Sequence, residues 1–256
     1  MDEKSMSLTL LKGMSLIDLF SSEKEGLTPT LVEKSTGISR AAARRFLLTF
    51  KSLGYLDQID DKFFLTAKWL EISGKYLNQN PILDVLSKEI VNLSQEIDLP
   101  VSIVTLQGGN VMFLCRSPLR RVYASKLAIG DLIPAHASAG GKLILANEAD
   151  ENIESWIAEH GLKKITENTI VNSDTFSQEC KKIRDRGYAT SYGELEIGMI
   201  SFSLPIFIEN HTKMAVVISS KAHGDMREID DELISYVEKK VSEIKEIYTN
   251  YLHHGG

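Results

Sequence analysis

The sequence predicts an α+β chain in two parts: a small helical head closed by a two-stranded hairpin, and a larger domain in which an antiparallel sheet is flanked by helices. Three observations carry that prediction. Residues 28–53 read as two short helices around a glycine, and residues 55–66 as two β-prone runs around Asp60-Asp61. Beyond Asn80-Pro81 the apolar spacing alternates between helical and strand-like and ends in a long helix.

In the head, Leu8, Leu11, Leu16, Ile17, Leu19 and Phe20 give a first helix its apolar face. Thr28 is a suitable N-cap, and Pro29 takes the first helical position, where a missing N–H costs nothing; the helix stops before Gly37. Ser39 caps the next helix, on which Ala43, Phe46, Leu47, Phe50 and Leu53 form one stripe facing a core. Arg40, Arg44 and Arg45 lie off that stripe. With Thr28, Ser39 and Ala41 they make a candidate DNA-binding set. A helix start free of large apolar groups can enter a major groove, where arginine makes paired hydrogen bonds to guanine or a charge contact to phosphate. Alone, residues 28–53 suit an αα-hairpin with a solvated basic face equally well. The runs 55–59 and 62–66 favour the first reading, because they add a wing and make residues 6–66 a winged helix-turn-helix.

Composition fits two ordinary globular domains: 256 residues, 43% hydrophobic and 25% charged. No apolar run approaches the ~20 residues of a membrane helix, and MDEKSMS lacks a signal peptide's layout, so a cytoplasmic protein without membrane contact is expected. Cys115 and Cys180 have no metal-ligand or redox spacing and read as core or helix-surface residues. Residues 1–75 hold 11 Lys+Arg against 10 Asp+Glu, while the whole chain carries −6. Affinity for phosphate must therefore come from local arginines.

Trp69, Leu70, Ile72, Tyr76 and Leu77 predict a helix running to Asn80-Pro81, and residues 82–97 predict another. Strands follow at 101–106 and 111–115 around Gly108-Gly109-Asn110, with a third across 119–126. Helices are expected at 139–148, 150–160 and 173–186, then strands near 188–192, 198–208 and 213–220. A final helix spans 229–252, and His253-His254-Gly255-Gly256 reads as a frayed tail with no metal site.

Two features could hold a small molecule. Ser138-Ala139-Gly140-Gly141 opens a helix with small residues, so a carboxylate could rest on the N–H groups of Ala139 and Gly140; alternatively the helix is capped by Ser138 and the glycines serve close packing. Ser191, Ser201, Ser203 and Ser220 lie on strands from which hydroxyls could reach a ligand or simply face the sheet surface. Arg116 and Arg121 could pair with an anion or be solvated. Glu194 and Glu196 read as parts of a loop rather than an acid/base pair. No activated nucleophile, phosphate loop or metal cluster is recognisable, so neither catalysis nor a cofactor is expected.

Gly37-Ile38-Ser39-Arg40-Ala41-Ala42-Ala43-Arg44-Arg45-Phe46-Leu47-Leu48-Thr49, Gly130 through Ser138 with Gly141-Lys142, and Arg186-Gly187-Tyr188 followed by Glu194 and Gly198 together resemble the IclR family of bacterial transcriptional regulators. The first segment, with Arg116-Ser117-Pro118-Leu119-Arg120-Arg121, is similar to the branch controlling protocatechuate, 4-hydroxybenzoate and β-ketoadipate catabolism. The resemblance implies a winged helix-turn-helix over 1–75, a linker helix region over 76–98 and a GAF-like effector domain over 99–256. It implies ligand contacts from Ala139 and Gly140 through backbone N–H, and from Ser191, Ser201 and Ser220 by side chain. Ser191 and Ser201 stand where glyoxylate-responsive relatives have aspartate and cysteine, and Ile218 replaces another polar contact, which leaves room for a larger, less polar acid. A homodimer or tetramer on double-stranded DNA is implied, its recognition helices roughly 34 Å or a multiple apart on a palindromic operator.

The expected function is thus a DNA-binding regulator, not an enzyme, controlled by a small organic acid, an aromatic or hydroaromatic carboxylate. The competing readings are a small-molecule enzyme with an accessory helical domain, and a protein-interaction scaffold.

Overall fold

The computed structural model describes residues 6–21, 23–118, 127–206, 214–221 and 229–254. Contacts divide the chain into two compact units, residues 1–80 and 81–256.

The first unit contains α1 (Leu8–Asp18), α2 (Pro29–Thr36), α3 (Arg40–Ser52), the hairpin β1 (Leu56–Ile59) and β2 (Lys62–Leu65), and α4 (Trp69–Gln79). Each boundary has a local cause. Thr28 Oγ1 accepts from the Leu31 N–H at 3.2 Å, Pro29 stands at the start of α2, and Gly37 ends that helix at φ 71°. Ser39 Oγ accepts from the Ala42 N–H at 3.4 Å and starts α3. Leu16, Leu27, Val32, Ile38, Ala43, Leu47, Leu56 and Phe63 form the core of this unit. Phe46 and Phe50 pack at its margin against Gly13, whereas Leu53 ends α3 exposed.

The first helix departs from expectation. Leu16 is buried, but Leu8 and Leu11 are exposed, and with Leu10 and Met14 they leave an apolar strip uncovered. α4 likewise exposes Leu70, Ile72, Tyr76 and Leu77, while Trp69 turns inward and donates its indole N–H to the Tyr55 carbonyl at 2.9 Å.

Among the described residues the second unit is a six-stranded antiparallel sheet between two helical layers. It contains α5 (Ile82–Ile97), β3 (Val101–Gln107), β4 (Asn110–Arg116), β5 (Leu132–Pro134), α6 (Ala139–Ala146), α7 (Asp150–His160), α8 (Ser173–Arg186), β6 (Ala189–Tyr192), β7 (Met199–Ile206), β8 (Met214–Lys221) and α9 (Asp231–His254). The strand order is β5-β4-β3-β8-β7-β6. Because side chains alternate along a strand, Ile103, Phe202, Leu204, Val216 and Ile218 face one core with α5 and α9, and Val104, Phe113 and Ala215 face another with α6 and α8. A register shift between Ile103 and Val104 interrupts the β3–β4 ladder.

Leu86, Ile90, Leu93 and Ile97 of α5 are buried in the first of these cores, so the helix over 82–97, expected in a linker region, packs on the sheet of the second unit. The strand expected across 119–126 lies outside the described residues, β5 was not foreseen, and α9 continues through His253 to His254 instead of fraying.

Candidate functional site

On the first unit, Ser39, Arg40, Ala41, Arg44 and Arg45 are all exposed along the opening turns of α3, with Ala43 and Leu47 turned into the core. The arginines therefore project from a helix anchored on its opposite side. Glu33, which the sequence reading passed over, accepts the Arg40 N–H through Oε1 at 2.9 Å and stiffens the entry to α3. Thr28 is half-buried, and its hydroxyl oxygen is engaged in capping α2.

On the second unit, a cavity of about 70 Å³ lies between the start of α6, the sheet and the segment after β6. Six of the sequence candidates meet there with Arg116: Ser138, Ala139, Gly140, Ser191, Ser201 and Ser220. Its apolar wall includes Val104, Phe113, Ile133, Leu195, Met199 and Val217. Among the described residues no Asp or Glu lines it, whereas Arg116 and Lys221 do.

The α6 start is both capped and closely packed, and two of its amides stay free of intrahelical acceptors. Ser138 Oγ accepts from Gly141 N–H at 3.1 Å, and a Cβ on Gly140 would stand 2.5 Å from a Val104 methyl, so the cap and the close packing are real. Yet the Ala139 and Gly140 N–H groups precede the first intrahelical acceptor and border the cavity, where they and the helix dipole favour an anion. The Arg116 guanidinium sits 4.8 Å from the Phe113 ring centre and donates to the Leu127 carbonyl at 2.8 Å. Burial pulls its pKa below the ordinary arginine value, with nearby Asp131 acting the other way.

Ser191 Oγ donates to the Ala137 carbonyl at 3.2 Å, and the Ser201 and Ser219 hydroxyls pair at 3.0 Å. Ser203 is not part of the lining: it lies fully buried further along β7, and its hydroxyl has no partner among the described residues. Ile218 also departs from its expected place, since it points into the core on the other face of the sheet and its neighbours Val217 and Ser219 line the cavity instead. Arg121 lies outside the described residues. Ser102, Phe113, Leu195 and Ser219 were missed; strand alternation from Val104 and Ser201 would have pointed to Ser102 and the β8 serine had the strand order been known.

Burial pushes the Cys115 thiol up to about 11 and Cys180 to about 12, so neither is a thiolate at neutral pH. Among the described residues there is no cluster of metal-ligating side chains, and no helix long and apolar enough to cross a membrane.

The IclR helix-turn-helix domain model matches residues 9–60, and the model for the C-terminal part of bacterial IclR transcriptional regulators matches residues 74–246. The Pca operon regulatory protein of Acinetobacter baylyi is 32% identical over 231 residues, covering 88% of this chain and 82% of that protein. The p-hydroxybenzoate hydroxylase transcriptional activator of the same organism is 36% identical over 202 residues, covering 77% and 74%. Among solved structures, a double mutant of the PobR inducer-binding domain from Acinetobacter, complexed with 3-hydroxybenzoic acid, superposes with TM-score 0.57 and 28% identity over 64% of this chain and 94% of that one. An enzyme is accordingly not the favoured alternative, since these relatives are regulators. With an exposed, arginine-bearing helix on one unit and a pocket on the other, this chain belongs to the IclR family of DNA-binding transcriptional regulators with a C-terminal effector domain.

Proposed function

We propose that this regulator is a non-enzymatic cytoplasmic protein whose effector is an aromatic or hydroaromatic carboxylate and whose operator is palindromic. The observation that carries the effector class is the cavity lining: Arg116, a helix start and several hydroxyls, no acidic group among the described residues, and an apolar wall that includes the Phe113 ring. The names of the Acinetobacter relatives and the 3-hydroxybenzoic acid complex support it. Residues 1–75 would read DNA through Ser39, Arg40, Ala41, Arg44 and Arg45 with Thr28 near the backbone, residues 76–98 would join the parts, and residues 99–256 would sense the acid. The apolar strips of α1 and α4 support a dimer or tetramer, because such area is costly to leave in water. Effector binding would favour one spacing of the paired reading helices.

Two measurements test this reading. Fragments upstream of neighbouring genes should bind specifically, and Arg44→Ala should weaken that binding by about 1–3 kcal/mol; unaltered binding and salt dependence would discard α3 as the reading helix. Thermal-shift screening with 4-hydroxybenzoate, protocatechuate and related acids should raise the melting point by mass action. A full aromatic panel without a shift would discard the effector class.

A further inference from the structure

One buried ion pair stands just behind the cavity. Lys142, one helical turn past Ala139 on α6, is 2% exposed, and its Nζ lies 2.5 Å from Glu194 Oε1. Glu194 belongs to the segment 193–198 between β6 and β7, whose ends Gly193 and Gly198 have φ of 68° and 78°. The same segment supplies Leu195 to the cavity wall, and Met199 follows it directly.

Lys142 also lies 3.9 Å from Glu179 on α8, and Glu179 accepts from Arg186 at 3.2 Å. The ammonium thus ties three parts of the fold together: α6, α8 and the segment. Hydroxyls hold the backbone alongside, with Thr166 donating to the Gly193 carbonyl at 2.7 Å and Thr169 to the Glu194 carbonyl at 2.7 Å.

The pair is poorly repaid as a source of stability. Glu194 Oε2 is buried without a hydrogen-bond partner among the described residues, and a buried pair with an unsatisfied oxygen does not recover its desolvation cost. What such a pair does supply is direction: a side chain fixed at both ends in one geometry. The part fixed here forms a wall of the pocket, and the helix that fixes it presents the Ala139 and Gly140 amides to that pocket.

We propose that Lys142 and Glu194 are positioning residues, a latch that holds segment 193–198 against α6 so that Leu195 and Met199 close the cavity and retain the effector. The retention part rests on the effector reading above; the latch itself does not.

The test uses the full-length chain with both charges replaced, Lys142→Met with Glu194→Leu, which leaves no orphaned ion. In effector-free protein, amide hydrogen exchange across 193–198 should accelerate at least tenfold while α5 and α9 keep their wild-type rates; unchanged exchange in the segment overturns the latch. With 4-hydroxybenzoate as probe, the dissociation constant should rise at least tenfold, chiefly through faster release, at a melting point near that of the parent. A merely structural pair would lower the melting point and leave affinity as it was, which also overturns the proposal. A wild-type protein that ignores 4-hydroxybenzoate and the related acids counts against the effector reading, and hydrogen exchange then decides the latch by itself. If the double variant does not fold, Glu194→Gln is read by the same exchange experiment, with an unchanged segment again refuting the idea.

Discussion

Adding one methyl group at two neighbouring glycines should give opposite degrees of damage. A Cβ at Gly140 would meet Val104 Cγ2 at 2.5 Å and Val217 Cγ2 at 2.8 Å, against the roughly 3.5–4.0 Å at which carbons pack best. Those obstacles are methyls at the cavity wall, so they have a direction in which to yield. A Cβ at Gly141 would meet Ala135 O at 2.2 Å, Cα at 2.5 Å and C at 2.6 Å. That backbone is held by the Ala135 N–H to Gly109 carbonyl bond at 3.1 Å and the Ser138 N–H to Ala135 carbonyl bond at 3.2 Å, and it cannot step aside. Gly140→Ala should therefore cost about 1–3 kcal/mol of overpacking, offset by up to ~1 kcal/mol of helix propensity. Gly141→Ala should exceed ~4 kcal/mol, in the range of backbone displacement.

Urea unfolding followed by tryptophan fluorescence measures both. The chain has two tryptophans, one in each unit, so Trp69→Phe leaves Trp156 to report on the second unit alone, anchored by its indole hydrogen bond to the Gly108 carbonyl at 2.9 Å. Gly140→Ala should also weaken effector binding, because the displaced valines move into the cavity. If Gly141→Ala proves as stable as wild type, or less damaging than Gly140→Ala, the packing argument for the α6 start is wrong.

Further expectations follow from the same geometry. Arg116→Met keeps the stem and removes the guanidinium, so a carboxylate effector should lose about 1.5–3 kcal/mol of affinity by calorimetry while its methyl ester loses far less; equal losses would remove Arg116 from the recognition of charge. Burial raises the Glu194 carboxyl above its ordinary value, with Lys142 opposing. A raised acid adds stability that is complete below its unfolded pKa of about 4.3 and disappears as pH climbs through the folded value. The stability of the parent relative to Glu194→Gln should then grow as pH is lowered from about 7 toward that unfolded pKa, and a shrinking gap in urea titrations would contradict the assignment. Leu10→Glu, on the exposed strip of α1, should shift the sedimentation of a dimer toward monomer without changing the melting of the second unit; an unchanged assembly would place the contact elsewhere.

The head was legible because its signals are local. Thr28, Pro29, Gly37 and Ser39 act within one helical turn of themselves, so the caps, the glycine stop and the exposed arginines follow from spacing alone. The helices 82–97, 150–160 and 173–186 were equally plain, since each repeats its apolar stripe over several turns. Leu8, Leu11, Leu70 and Tyr76 misled the same logic: an apolar stripe says that something must cover it, not that the covering surface lies in the same unit. The cavity was half legible. Ser138, Ala139 and Gly140 announce themselves at a helix start, but Ser102 and Ser219 become neighbours of Ser201 only when β3, β8 and β7 lie side by side. Ser203 and Ile218 were misplaced for the same reason, because position along a strand and choice of face depend on register, which a single residue cannot report. The pairing of Lys142 with Glu194 across 52 residues was invisible in the sequence, where one only follows Gly141 in a motif and the other reads as part of a loop. Local sequence determined which segments fold and where they stop; the tertiary structure alone decided which distant polar groups share a dry interior, because burial and partnership arise only when the layers close.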